Sequence, residues 1–197
     1  MKDIKLLDPC RLGGMPLRDA LMARRSVRKF SERRFDLQSR DDLQLLSDML
    51  WAAFGPISPK RRSAPSSHNW QEIDLYVLLP EGAFVYDALE NRLVCVSEAD
   101  LRAASGLQDY VGTAAAEIAF VAQTEKVVGK TGRGLAQAIY ADTAFISENL
   151  YLFCASEGLA TVVRAMIPKD ELAARLQLSP TQEITLVQTI GWKAEEK

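Results

Sequence analysis

Arg24-Arg25-Ser26-Val27-Arg28-Lys29-Phe30 packs four cations, one hydroxyl and one aromatic ring into seven consecutive positions. A hydrophobic core has no use for so much charge in one place. An anionic ligand does, because each guanidinium offers a planar fork of donors that fits phosphate oxygens, and serine adds a short hydroxyl. In an extended segment Arg24, Ser26 and Arg28 point to one side and Val27 to the other. A ligand is then held on one face while the opposite face anchors the chain. The competing reading is a solvated basic loop, and the rest of the chain has to decide between the two.

Working outward, 197 residues, 48% of them apolar and 25% charged, suit one sizeable domain or a subunit of an interlocked dimer. A net charge of −2 makes the basic run a local feature and argues against a nucleic-acid binder. Three widely separated cysteines (Cys10, Cys95, Cys154) and the single His68 leave no metal-ligand spacing. Reduced, buried thiols in a cytoplasmic protein are the expectation for Cys95 and Cys154. No signal-peptide pattern opens the sequence. The long apolar stretch from Leu135 to Ala155 carries Asp142 and Glu148, which reads as a buried helix and not a membrane span.

Residues 1–15 read as an N-terminal arm, broken by Asp8-Pro9 and Gly13-Gly14, and 16–197 as a single domain. Pro16 suits the first turn of a helix to about Arg24. Ser39-Arg40-Asp41-Asp42 resembles a capping box, opening a helix with Leu43, Leu46, Leu50 and Ala53 on one stripe that Gly55-Pro56 ends. Residues 56–69 read as a loop. Ile73, Leu75, Val77 and Leu79 alternate as a strand stopping at Pro80, and Phe84–Tyr86 with Leu93–Val96 read as a hairpin tipped near Glu90-Asn91. Ser97 is the expected cap of a short helix around 98–104. Ile118 to Ala122 reads as a buried strand, and Val127 to Gly134 as a glycine-bearing loop. A long helix follows over 135–157, stopped by a left-handed Gly158. A further helix fits 168–177, and a last strand from Glu183 to Ile190, apolar on both faces, reads as central. Helices and strands mix without a regular βαβ repeat, so the class is α+β.

Three separated segments agree on a family. Arg24 to Phe30 resembles the R-x-S-x-R-x-F motif of the FMN-dependent nitroreductases, and Pro65-Ser66-Ser67-His68-Asn69-Trp70-Gln71 resembles their P-S-x-x-N-x-Q loop. Ser147-Glu148-Asn149-Leu150 through Gly158–Val163, followed by Ile190-Gly191-Trp192, is similar to the family's C-terminal half. Leu50 to Gly55, Ala64-Pro65-Ser66 and the Val85-Tyr86-Asp87…Arg92-Leu93-Val94 hairpin most resemble its SagB-type dehydrogenase branch. The resemblance covers roughly residues 16–193. It implies a nitroreductase-like fold, with a central, mostly antiparallel sheet flanked by helices in an intertwined homodimer that binds FMN at the subunit interface.

Carried over by position, the resemblance places Arg24 and Ser26 on the phosphate and ribityl oxygens and Arg28 beside the pyrimidine edge of the ring. Arg25 adds backbone and phosphate contacts. Pro65, Ser66, Ser67 and Asn69 belong to a loop that reaches the flavin of the other subunit, with Gln71 opening the next strand nearby. Val163, Arg164 and Ala165 match the segment whose amides face flavin N5 and O4, and Lys193 falls where a basic phosphate partner sits. Read without the family, these segments are a Pro-Ser turn, a core strand end and a solvated lysine. Asn149 reads as an interhelical hydrogen bonder, His68 as an exposed loop residue, and Trp51, Trp70 and Tyr140 as core, interface or pocket wall.

At two residues this sequence departs from the family: Glu72 stands where many members have proline, and Arg164 where a small or aliphatic residue is common. The latter implies a pocket preferring an anionic substrate, or one partly closed. The expected activity is ping-pong hydride transfer from NADH or NADPH, through FMN, to a small nitroaromatic, quinone or enone-like acceptor. A flavin-dependent dehydrogenase of a peptide or small molecule is the alternative within the enzyme class. Outside it stands a non-catalytic anion-binding module built on Arg24–Arg34. No paired-carboxylate, Ser-His-Asp or metal constellation is visible, as expected where the cofactor carries the chemistry.

Overall fold

The computed structural model describes residues 2–195, so Met1 and positions 196–197 of the two assigned segments lie outside the described residues. A seven-stranded, wholly antiparallel sheet forms the centre of the fold. Its strands are β1 (Ile4–Lys5), β4 (Ile73–Leu79), β5 (Gly82–Asp87), β6 (Arg92–Ser97), β7 (Ala116–Gln123), β8 (Leu159–Arg164) and β9 (Gln182–Trp192), in the order β1-β6-β5-β4-β7-β9-β8. Four helices flank it: α1 (Leu17–Ala23), α2 (Arg40–Phe54), α3 (Gly132–Ser156) and α4 (Lys169–Arg175). Alternation along the strands sorts side chains onto two faces. Ile73, Leu75, Val77, Ile118 and Phe120 join Leu46, Leu50, Ile139 and Ile146 of α2 and α3 in one core. Tyr76, Leu78, Ala119, Val121 and Val187 meet Leu172 and Leu176, in and just beyond α4, in the other. With both faces covered, β4 and β7 read as near-continuous apolar runs, while β9 also buries Thr185, Gln188 and Thr189.

Local signals explain the helix ends. Ser39 Oγ accepts the Asp42 N–H at 3.4 Å, and Asp41 and Asp42 complement the positive end of α2. Gly55 closes that helix because a Cβ there would lie 2.6 Å from the Trp51 Cα. Gly158, at φ +70°, follows the last turn of α3 in the left-handed region that glycine tolerates.

Several expectations are corrected. Residues 56–69 contain a second hairpin, β2 (Pro56–Ser58) with β3 (Arg61–Arg62). The short helix expected around 98–104 is a 3-10 turn over Arg102–Ser105 entered from Leu101, while Ser97 completes β6. Helix α3 begins at Gly132, inside the expected glycine loop, and α4 stops at Arg175. The stretch before Pro16 is not free of the sheet. Ile4 and Lys5 pair with Leu93 and Arg92, and Leu6 is buried. Of the thiols, Cys154 is buried, Cys95 half-buried and Cys10 exposed, and none is paired.

Candidate functional site

The basic stretch leaves α1 at Arg24 and runs along the outer edge of the sheet. The Val27 N–H donates to Thr161 O of β8 (2.9 Å), Ser31 N–H to Trp192 O of β9 (2.9 Å), and Ala194 N–H returns to Lys29 O (3.2 Å). Phe30 forms an antiparallel bridge with Lys193. Gly191 makes room for it, since a Cβ there would come within 3.2 Å of the Phe30 ring and 3.1 Å of Ala115 N. Arg24, Arg25, Ser26, Arg28 and Lys193, far apart in sequence at their extremes, are thereby gathered along one strip. Arg25, Arg28 and Lys29 are exposed and form no ion pair among the described residues. Arg24 lies over the Tyr151 ring, 5.4 Å from its centroid, with its Nε at a loose 3.9 Å from Glu148.

Strand β8 has β9 on one side only. Successive peptide groups alternate between the two edges, so Thr161 and Val163 present theirs away from β9. The Val163 N–H donates to Tyr151 Oη at 3.0 Å, and Ser26 Oγ lies 2.8 Å from the same oxygen. Ala165 is next in the alternation. It is exposed, and its N–H has no partner among the described residues.

Arg164 faces the other way. Its side chain is buried, its guanidinium pairs with Glu117, and it reaches Ser105 O at 2.9 Å and Thr189 Oγ1 at 3.0 Å. Gly106 packs against that guanidinium so closely that a side chain there would displace it. Burial pushes the Glu117 carboxyl up to about 7, against the pull of Arg164 and the Thr189 hydroxyl. The expectation of a cationic residue facing an anionic substrate is therefore corrected: Arg164 spends its charge inside the protein.

The Pro65–Gln71 loop sits elsewhere, against the first half of α3. Ser67 donates to Asp142 through its N–H (2.7 Å) and Oγ (3.1 Å), and Ser66 Oγ accepts the Gln71 N–H at 3.0 Å. Asn69 Nδ2 and Gln71 Nε2 both donate to Lys60 O, and Gln71 Oε1 accepts from Arg62 Nε at 3.0 Å. His68, Asn69 and Gln71 all have φ near +50°, a left-handed conformation costing non-glycine residues roughly 1 kcal/mol each. These hydrogen bonds hold that shape while Pro65, His68 and Asn69 remain exposed. Along α3, Asp142 and Tyr151 are nine residues apart, about 14 Å of helix rise, so this loop and the basic strip are separate surfaces of one chain. A cavity of about 530 Å³ borders the loop, walled by Phe54, Trp70 and Tyr86 with Arg62 and Lys126.

Sequence reasoning missed three participants. Tyr151 joins Ser26 to β8. Its only sequence signal is a hydroxyl four residues after Ser147 in an apolar helix. Asp142, 1% exposed, holds the loop, although its sequence position argued only against a membrane span. Tyr110 lies 5.4 Å from the Phe30 ring, close enough to Arg28 and Arg164 to feel both charges. Asn149 behaves as expected, donating to Ala52 O (3.0 Å) and Ala53 O (3.3 Å).

Comparison with known proteins places this arrangement. The nitroreductase family matches residues 21–192. A crystal structure of a Ralstonia eutropha JMP134 protein described as a nitroreductase is 36% identical, with a TM-score of 0.90 over 100% of this chain and 91% of that one. More distant likenesses speak for the fold alone. One is a chain of the Escherichia coli microcin synthetase McbBCD complex with truncated pro-MccB17 bound (16%, TM-score 0.72, 87% and 71% covered). Another is a Parabacteroides distasonis protein described as NADH dehydrogenase/NAD(P)H nitroreductase (18%, TM-score 0.63, 92% and 89% covered). Among functionally curated proteins, none is matched by the chain. The extent of the family match and the near-complete overlay on the Ralstonia protein agree with the motif order: the chain belongs to the nitroreductase family of oxidoreductases.

Proposed function

We propose that the chain is an FMN-dependent, cytoplasmic oxidoreductase that works as a homodimer and carries reducing equivalents from NADH or NADPH to a small nitro, quinone or enone-like acceptor. FMN, when bound, supplies the hydride chemistry. The protein's part is to bind, orient and stabilise charge. The observation that carries this reading is the strip itself: exposed Arg25 and Arg28 and, at the end of an edge strand, the Ala165 N–H, all without ion-pair or hydrogen-bond partners among the described residues, beside a serine hydroxyl. That donor set fits a phosphate-tailed ligand whose far end is a polarised heteroaromatic ring. Arg24 and Ser26 take phosphate and ribityl oxygens, with Arg25 and Lys193 adding positive charge. Arg28 lies beside the ring edge where negative charge collects on reduction. The Ala165 N–H is placed to support a ring nitrogen or carbonyl.

The Pro65–Gln71 loop lies about 14 Å further along α3. That separation supports its serving the ligand of a second copy, with exposed Pro65 and Asn69, and Ser66, which keeps its own proton to donate. Purified protein should be yellow, with flavin bands that bleach on adding dithionite or a nicotinamide donor. A colourless protein that takes up no added FMN overturns the reading. Steeply salt-sensitive anion binding without flavin absorbance would favour the non-catalytic module instead.

A further inference from the structure

Three donors and two acceptor oxygens meet around Tyr151, and only one arrangement of their hydrogens satisfies both buried donors, the Val163 N–H and the Tyr151 O–H. The Val163 N–H can only donate, so it uses one lone pair of Tyr151 Oη, at 3.0 Å. The tyrosine hydrogen then has a single acceptor within reach among the described residues, Ser26 Oγ at 2.8 Å. If Ser26 donated instead, the tyrosine would accept twice and its own hydrogen would be left without a partner. At 6% exposure that omission costs about 1–3 kcal/mol. The chain therefore runs Val163 N–H to Tyr151 O–H to Ser26, and each donor polarises the next. Ser26 keeps its own hydrogen for something outside.

On that outer side Ser26 is exposed, and the Arg24 guanidinium rests over the same tyrosine ring at 5.4 Å. Hydroxyl and guanidinium thus share one support. The neighbouring Glu148 is half-exposed and only loosely paired with Arg24, an interaction of little strength in water.

We infer that Tyr151 is a positioning residue that turns the Ser26 hydroxyl into a fixed donor for a phosphate oxygen of the ligand, beside Arg24. The inference rests on the FMN reading above, deepens it, and is separable from it. The test compares FMN with riboflavin, which lacks the phosphate, by fluorescence titration of wild type, Tyr151→Phe, Ser26→Ala and the double variant. Tyr151→Phe keeps the ring and removes only the hydroxyl. FMN affinity should fall about tenfold in Tyr151→Phe while riboflavin affinity changes less than twofold. On the Ser26→Ala background the second substitution should add less than twofold.

Unchanged FMN affinity in Tyr151→Phe, or an equal loss for both probes, overturns the inference. If wild type binds neither flavin, the FMN reading falls, and inorganic phosphate becomes the probe. Greater thermal protection of wild type than of Tyr151→Phe by phosphate then sustains the role of Tyr151, and equal or no protection ends it. Should Tyr151→Phe fail to fold, 3-fluorotyrosine at position 151 replaces it. Its more acidic hydroxyl donates more strongly, so FMN affinity should rise relative to riboflavin, and no rise or a fall refutes the proposal.

Discussion

Glu72 follows Gln71 directly after the strained loop, fully buried and close to Asp142 of α3. Burial above all, with a hydrogen bond to Asp142 and that group's repulsion adding to it, outweighs a backbone hydrogen bond and the smaller pull of Lys126 and pushes it from 4.5 up to about 7. A raised carboxyl pKa means that the folded state holds the proton more tightly than the unfolded chain. Its stabilisation is complete below about pH 4.5 and lost as pH rises through about 7. Glu72→Gln should make the fall in unfolding free energy across that window shallower and stabilise the protein above pH 7 by about 1–3 kcal/mol. Glu117, raised in the same direction, keeps part of the slope. Urea unfolding at a series of pH values checks this, and an unchanged slope would exonerate Glu72. Arg28 behaves oppositely, because among the described residues its exposed side chain forms no ion pair or hydrogen bond. Arg28→Ala should cost at least about tenfold in FMN affinity while moving the unfolding free energy by no more than about 0.5 kcal/mol. Full flavin retention would remove Arg28 from the site.

Between elements, two contacts do work that strand and helix propensity cannot. The Asn149 amide reaches across from α3 to two carbonyls in the last turn of α2, groups that a helix end otherwise leaves without partners. Asn149→Ala should destabilise by about 1–2 kcal/mol, read as a lower urea midpoint with an unchanged denaturant slope. Arg164 ties the end of β8 to Glu117 on β7 and to the turn at Ser105. Arg164→Met leaves a buried carboxylate alone and should cost about 3–5 kcal/mol, with Glu117→Gln in the same chain recovering part of the loss. If the single and double variants are equally unstable, the pair is not what holds the turn.

At the scale of the whole molecule, the basic strip and the Pro65–Gln71 loop occupy different surfaces of a 21.9 kDa chain, and the proposed site needs both. Sedimentation should give the mass of two chains, and a single-chain mass would leave the loop without a flavin to serve. The sequence by itself determined the elements whose cause is local. Alternation set out β4 and the β5–β6 hairpin, Ser39 and Gly55 bounded α2, and Gly158 stopped α3. The density of charge between Arg24 and Lys29 marked an exposed strip, the proposed ligand site, because no core tolerates it. Tertiary structure alone decided what depends on partners distant in the chain. Ile4 became a strand because Leu93 offered an open edge. Arg164 turned inward because Glu117 waited, buried, on β7. Tyr151 acquired a role because α3 packs it between Ser26 and Val163. A side chain's pattern in sequence reports its own preference, whereas a buried charge or hydroxyl takes its role from whichever group can satisfy it, and folding chooses that group.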